Sequence, residues 1–217
     1  MKQEKFYTPR EEKANYLSHA LGFVMAVVAI ILLEMKAVAV DNVRAIVAFA
    51  VFGFGMLLCM GSSTLYHYAH NPKLKGILRH FDHGNIYVLI AASFSPVCLI
   101  LLQNSVWGIS LFSFVWLFAA VGIALNFRKL KANNNLKTAS FVVMGLCIFI
   151  PMKTLIEITT ALNCVSVLVW IALGGVFYIA GAVIYAKAKH EFVHAVFHIF
   201  VLFGLLCHII SAFSIPL

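Results

Sequence analysis

The sequence predicts an all-α integral membrane protein of seven transmembrane helices, with its N-terminus in the cytoplasm and its C-terminus outside. Three observations lead there. First, 63% of the 217 residues are hydrophobic and 11% are charged, where soluble domains carry about a quarter charged residues. Second, the apolar runs reach the roughly 20 residues needed to cross a bilayer. Third, basic residues crowd onto alternate connections, the pattern that sets membrane orientation.

The spans follow in order at about 17–35, 45–66, 83–103, 105–126, 138–156, 161–186 and 194–215. Glu34 closes the first, and Lys153 and Glu157 lie near the exit of the fifth. At those depths a long side chain reaches the headgroups, so no span is vetoed. Between spans two and three, "NPKLKGILRH" reads as a loop with Pro72 and Gly76 as breakers. Between four and five, "NFRKLKANNNLK" is the clearest loop. Pro96 and Pro151 are expected to bend spans three and five, because an interior proline removes a helical hydrogen bond. Gly53, Gly55, Gly174 and Gly175 are places where helices could approach closely, though neither pair has the G-x-x-x-G spacing. Residues 1–16 are polar and mixed in charge, unlike a cleavable signal. The expectation is one seven-span domain, 1–217, without a soluble module.

Lys2, Lys5, Arg10, Lys13, Lys73, Lys75, Arg79, Arg128, Lys129, Lys131, Lys137, Lys187 and Lys189 fall on the N-terminal side of this topology. Lys36, Arg44 and Lys153 fall on the other. That asymmetry puts the N-terminus inside. The formal net charge of +8 is thereby explained by topology and anionic lipid, and calls for no nucleic-acid partner. All five cysteines sit inside the expected spans without a C-x-x-C pair, as buried apolar thiols rather than a disulfide framework.

Chemistry concentrates in the nine histidines, all but His208 near the N-terminal face. Ionisable groups at membrane depth generally have partners and often a function. "SSTLYHYAH" places Ser63 and His67 one turn apart, "RHFDHGNIY" offers Asp82, and "HAVFH" places His194 and His198 one turn apart. Histidines four residues apart on a helix can share one ion. Three imidazoles leave a fourth zinc position open, the arrangement of a catalytic site. On spacing alone, metal binding and interfacial hydrogen bonding are evenly matched. Asp82 could instead pair with Arg79 or Lys73, and Ser63 could bond back to the carbonyl of residue 59. His70, His80 and His83 read as headgroup-level residues, and His208 as a buried interhelical contact. "HEFVH" at 190–194 also fits the H-E-x-x-H pattern of metalloproteases. It is read as coincidental, because His190 and Glu191 follow the basic "AKAK" stretch ahead of the seventh span.

"SSTLYH", "FDHGNIY" and "HAVFH", with the N-terminal "EEKANYLSH", resemble the haemolysin III branch of the adiponectin- and progestin-receptor family, itself similar to the alkaline ceramidases. The resemblance implies that His67, His194 and His198 bind zinc, with Ser63 and Asp82 beside a water at the open position. It also covers Glu12, Asn15 and His19, expected at the cytoplasmic mouth of the site. The long N-terminal extension of the animal receptors is missing here, which weighs against a hormone-receptor role. The leading expectation is a zinc-dependent hydrolase of a lipid amide or ester bond in the cell membrane. Asp82 and Ser63 are its candidate catalytic residues and membrane lipids its partners. A signalling or regulatory protein with structural zinc is the alternative. A membrane-damaging haemolysin would have to stay soluble before insertion, which seven apolar spans oppose. A proton or ion translocator would need a polar path that the outer half of the bundle lacks. No soluble module points to a protein partner.

Overall fold

The computed structural model describes residues 7–127, 134–188 and 190–217. Lys2, Lys5, Arg128, Lys129, Lys131 and Lys189 of the topology count, and half of the 126–137 connection, lie outside them. Eight α-helices account for nearly all of the described chain. Six are long and apolar enough to cross a membrane, or seven when one bent pair is taken as a single span.

Helix α1 (Pro9–Val38) begins at a capping box: the Thr8 hydroxyl accepts from the Glu11 N–H at 3.2 Å, and the Glu11 carboxylate accepts from the Thr8 N–H at 2.8 Å. Pro9 at the first helical position costs nothing, since its missing N–H would have had no helical partner. At the far end Lys36 donates to the carbonyls of Phe213 (2.7 Å) and Ile215 (2.6 Å). It thus ties α1 to the carbonyl end of the last helix, where a cation is favoured. Helix α2 (Val43–Tyr68) returns antiparallel from the cap of Asn42, whose Oδ1 accepts from the Ala45 N–H at 3.1 Å.

Helix α3 (Pro72–Ser93) starts where the sequence suggested a loop. Asn71 Oδ1 accepts from the N–H groups of Lys73 (2.9 Å) and Leu74 (3.2 Å). Pro72 therefore opens the helix rather than breaking a span, and Gly76 is carried within it. Pro96 near its far end is absorbed by a π turn over Val97–Leu101, with the Leu102 N–H reaching the Val97 carbonyl at 2.9 Å. After α4 (Val106–Phe127) come α5 (Asn134–Leu146), a short 3₁₀ turn, and α6 (Met152–Ala161). The two are bent by 51° at Pro151. Proline lacks the N–H to continue the ladder and its ring crowds the preceding turn, so the stretch expected as the fifth span is divided between two helices. Helices α7 (Ser166–Lys187) and α8 (Val193–Ser214) complete the bundle.

Helices α1, α2 and α8 share a core built around Ala26, Leu33, Phe49, Met56 and Leu205. A second cluster joins α3, α4 and α5 around Tyr87, Leu111, Val115 and Met144. Leu21, Leu117 and Val176 are among many large apolar side chains left on the outside, as a surface facing lipid requires. Gly55 admits Ala92 of α3, and Gly174 sits where an added Cβ would come within 2.7 Å of His208, whereas Gly175 faces open space. The five cysteines are buried and free.

Candidate metal centre

The ends of α1, α2 and α8 that meet near residues 7–19 bring three imidazoles to one point. His67 lies in the last turn of α2. His194 and His198 occupy consecutive turns at the start of α8. Nε2 of His194 is 3.1 Å from Nε2 of His67 and 3.1 Å from Nε2 of His198. The ligand atoms of these three residues all lie within 4.8 Å of one another. His67 and His198 are 1% and 2% exposed, so bulk water does not separate the rings.

What stands behind the rings decides which nitrogen faces inward. His67 Nδ1 donates to Glu12 Oε2 at 2.7 Å, and Lys75 Nζ holds Glu12 Oε1 at 2.7 Å. His198 Nδ1 donates to the Asn15 carbonyl at 3.2 Å and meets Ser18 Oγ at 3.0 Å. A neutral imidazole carries one N–H, so these bonds leave a bare lone pair on Nε2 of both rings. An Nε2–H on His194 can serve only one of them at a time. Between neutral rings at least one 3.1 Å approach then lacks an aligned hydrogen, and a shared cation would satisfy both. Ligands about 2.0–2.1 Å from a tetrahedral zinc stand about 3.3 Å apart. The donor set and spacing therefore fit a zinc-sized ion, and the carboxylate and carbonyl behind the rings are the usual outer partners of metal-bound histidine.

The chain also builds a cover. Tyr7 stacks on His194 at 5.0 Å, turns its edge to His67 at 5.9 Å, and shares a 3.2 Å hydroxyl contact with Tyr185. The Tyr185 ring is itself 5.1 Å from His194. Burial, then the neighbouring Tyr185, holds the Tyr7 phenol far above its ordinary range, so it remains a neutral hydroxyl. Glu11 Oε1 accepts from the Phe192 N–H at 3.1 Å, fixing the entrance of α8 to the first turn of α1. Phe192 takes a left-handed conformation, φ 61°, and His190 and Glu191 precede the helix, exposed. The H-E-x-x-H residues consequently do not share a helical face, and only His194 and His198 stand in register.

The remaining candidates are placed as follows. Glu12 touches His67 directly, and Asn15 reaches His198 through its carbonyl. His19 stacks on His198 with centroids 3.6 Å apart. Ser63 is buried one turn below His67, and its Oγ meets no hydrogen-bond partner among the described residues. It is Ser62 whose hydroxyl bonds the carbonyl of Cys59, at 3.2 Å. Asp82, on α3, stands outside the 4.8 Å group. Its carboxylate is 3.8 Å from His83 Nδ1 and acts electrostatically on Cys59 and Tyr66 of α2. His80 and His83 bond backbone carbonyls of Asn126 and Arg79, and His208 stacks on Tyr178 at 5.5 Å. Tyr7, Ser18, Lys75 and Tyr185 were not singled out as site residues by their sequence context. Ser18 and Tyr185 reach the site across 180 and 178 residues of separation, for which local periodicity gives no signal.

The chain is similar to known proteins over most of its length. The family described as Haemolysin-III related matches residues 7–209. Hemolysin-3 of Bacillus cereus is 33% identical over 195 residues, covering 90% of this chain and 87% of that protein. The Hemolysin-3 homolog of Bacillus subtilis (strain 168) is 36% identical over 198 residues, covering 91% of each. The ADIPOR-like receptor IZH2 of Saccharomyces cerevisiae (strain ATCC 204508 / S288c) is 27% identical over 226 aligned residues, 91% of this chain and 69% of that protein.

Proposed function

The chain belongs to the haemolysin-III-related family and is a multi-pass protein of the cell membrane, and on that premise we propose that it is a zinc-dependent hydrolase of lipid amide or ester bonds. The observation that carries the reading is the convergence of three Nε2 atoms, at 3.1 Å steps, on rings backed by Glu12 and the Asn15 carbonyl. In this reading the N-terminus is cytoplasmic, and the site opens at the inner leaflet.

Zinc held by His67, His194 and His198 would supply a Lewis acid and a water acidified to a pKa of about 7. The chain's own groups do the rest. Glu12 and the Asn15 carbonyl lock two rings in the tautomer that presents Nε2. Tyr7 and Tyr185 cover the rings and limit entry of bulk water. Asp82 takes up and returns the proton at its carboxylate, and Ser63 donates a hydrogen bond below His67. A lipid reaching the cluster sideways from the bilayer brings its carbonyl in without leaving the apolar phase.

Purified, zinc-loaded protein in lipid nanodiscs, offered long-chain amides and esters, is the test. Release of fatty acid that disappears in Asp82→Ala is the expected result. The absence of turnover from a protein holding one zinc would overturn the hydrolase. That outcome would favour a structural zinc in a signalling or regulatory protein, the reading that the burial of His67 and His198 also suits.

A further inference from the structure

Apart from the histidine cluster, polar contacts knit α3, α4 and α5 together at the same end of the bundle. Asn126, at the end of α4, donates from Nδ2 to the His80 carbonyl at 2.8 Å. Its Oδ1 accepts from Lys137 Nζ of α5, also at 2.8 Å. His80 Nδ1 donates back to the Asn126 carbonyl at 3.2 Å, and the His80 ring stacks on Phe127 at 5.5 Å. The Tyr87 hydroxyl donates to Ser140 Oγ at 2.7 Å, which in turn donates to the Lys137 carbonyl at 2.7 Å. Because α4 ends where α3 and α5 both begin, α3 and α5 run parallel, with Tyr87 level with Ser140.

That register gathers cations. Arg79, His83 and Tyr87 follow one another at four-residue steps, along one face of α3. Lys137 precedes Ser140 by three residues, about 4.5 Å along the axis, which sets it beside His83. His83 Nδ1 donates to the Arg79 carbonyl at 2.8 Å, so its ring stays against the turn that carries Arg79. Arg79 and Lys137 both act electrostatically on that ring, and Arg79 acts on Lys137 as a like charge. Side chains lean toward the N-terminal end of a helix, so both charged heads are carried toward the surface from which α3 and α5 start. The Asp82 carboxylate, 3.8 Å from His83 Nδ1, offsets one of the two charges. Lys75, the neighbouring cation on α3, is taken up by Glu12 at 2.7 Å. With His83 neutral, the seam keeps a surplus of one positive charge.

A guanidinium and an ammonium side by side suit one chemical group. The planar fork of arginine matches two oxygens of a phosphate, and lysine meets another as a point charge. A single phosphodiester charge would balance the surplus. The flanks suit a ligand with acyl chains, since Phe81, Phe127 and Leu136 are 45%, 46% and 67% exposed. We propose that Arg79 and Lys137, on the two sides of the α3–α5 seam, bind a phosphoryl group, carried by a lipid headgroup or by a soluble phosphate. The site is separate from the three histidines and does not depend on their holding zinc or on any hydrolysis.

The test is binding by the full chain in maltoside detergent, which contains no phosphate. Affinity is read from the rise in Tm with ligand, for dioleoyl phosphatidylglycerol, for dioleoylglycerol, which lacks the phosphate, and for inorganic phosphate. The phosphatidylglycerol is expected to bind at least tenfold tighter than dioleoylglycerol. Arg79→Gln and Lys137→Gln should each weaken it about tenfold, the scale of one hydrogen bond to a charged group, and leave dioleoylglycerol unchanged. Glutamine at 137 keeps a donor for Asn126, and a ligand-free Tm near the parent's shows that both variants fold. Lys73→Gln, which removes an exposed cation elsewhere on α3, should keep the parent's preference, as should His194→Ala/His198→Ala. Protection of the parent by inorganic phosphate, lost in the two Gln variants, assigns the site to a soluble phosphate; protection by the lipid alone assigns it to a headgroup. A parent that neither prefers the phospholipid nor responds to phosphate overturns the proposal, as does a preference that survives in Arg79→Gln and Lys137→Gln. An equal loss in Lys73→Gln would also overturn it, as general surface charge, and a loss in the double histidine variant would move the ligand to the histidines.

Discussion

Removing the carboxylate behind His67 tests how the site is held. Glu12 Oε2 accepts from His67 Nδ1 at 2.7 Å while Oε1 is held by Lys75 at 2.7 Å, so Glu12→Gln and Glu12→Ala probe different losses. Glutamine keeps an acceptor for the Nδ1–H but gives up the negative charge that raises ring basicity. Alanine gives up both and frees the ring to turn. Outer partners of metal-bound histidine are worth 10- to 100-fold in metal affinity. The Gln variant is therefore expected near the tenfold end, about 1.4 kcal/mol, and the Ala variant toward a hundredfold, about 2.7 kcal/mol. The assay is competition for zinc against a chromophoric chelator in mild detergent, with Tm followed in parallel. Zinc affinity in Glu12→Ala within twofold of the parent would mean that His67 is oriented by something other than Glu12.

Two further outcomes follow from the packing. Gly22→Val should cost about 1–3 kcal/mol by overpacking, since its Cβ would come within 2.5 Å of Leu202 Cδ2 and 2.6 Å of Met60 Sδ; thermal unfolding reads it, and an unchanged Tm would show that α1 and α8 can separate freely. Asn71→Ala removes the acceptor for the Lys73 and Leu74 N–H groups and should cost about 1 kcal/mol. Faster amide exchange in the first turn of α3 is its signature, and no change would mean the helix does not depend on that cap.

The apolar runs reveal the helices because lipid leaves the backbone few alternatives. Their ends are less legible where one residue type serves two purposes. Pro72 reads as a breaker, yet with Asn71 ahead of it the same residue opens α3. Pro151 was expected to bend a span, and the structure splits that span into two helices at 51°. At the site, His194 and His198 are legible as one turn of α8, and Ser63 and His67 as one turn of α2. The partners that orient the rings come from α1, and the register of α1 against α2 and α8 is a tertiary fact. Glu12, Asn15 and His19 are implied by the family resemblance alone, which does not say what they touch. Tyr7, Ser18 and Tyr185 carry no local mark, because a lone tyrosine or serine near a helix end has many ordinary uses.

Three histidines from two helices are proposed to hold one zinc ion. Protein purified without metal-chelating resin, offered zinc and desalted, should contain close to one zinc per chain by elemental analysis. His67→Ala and the double variant His194→Ala/His198→Ala should each contain close to none. A parent that holds no metal after zinc is offered, or variants that keep the parent's content, would mean that these histidines are not its ligands.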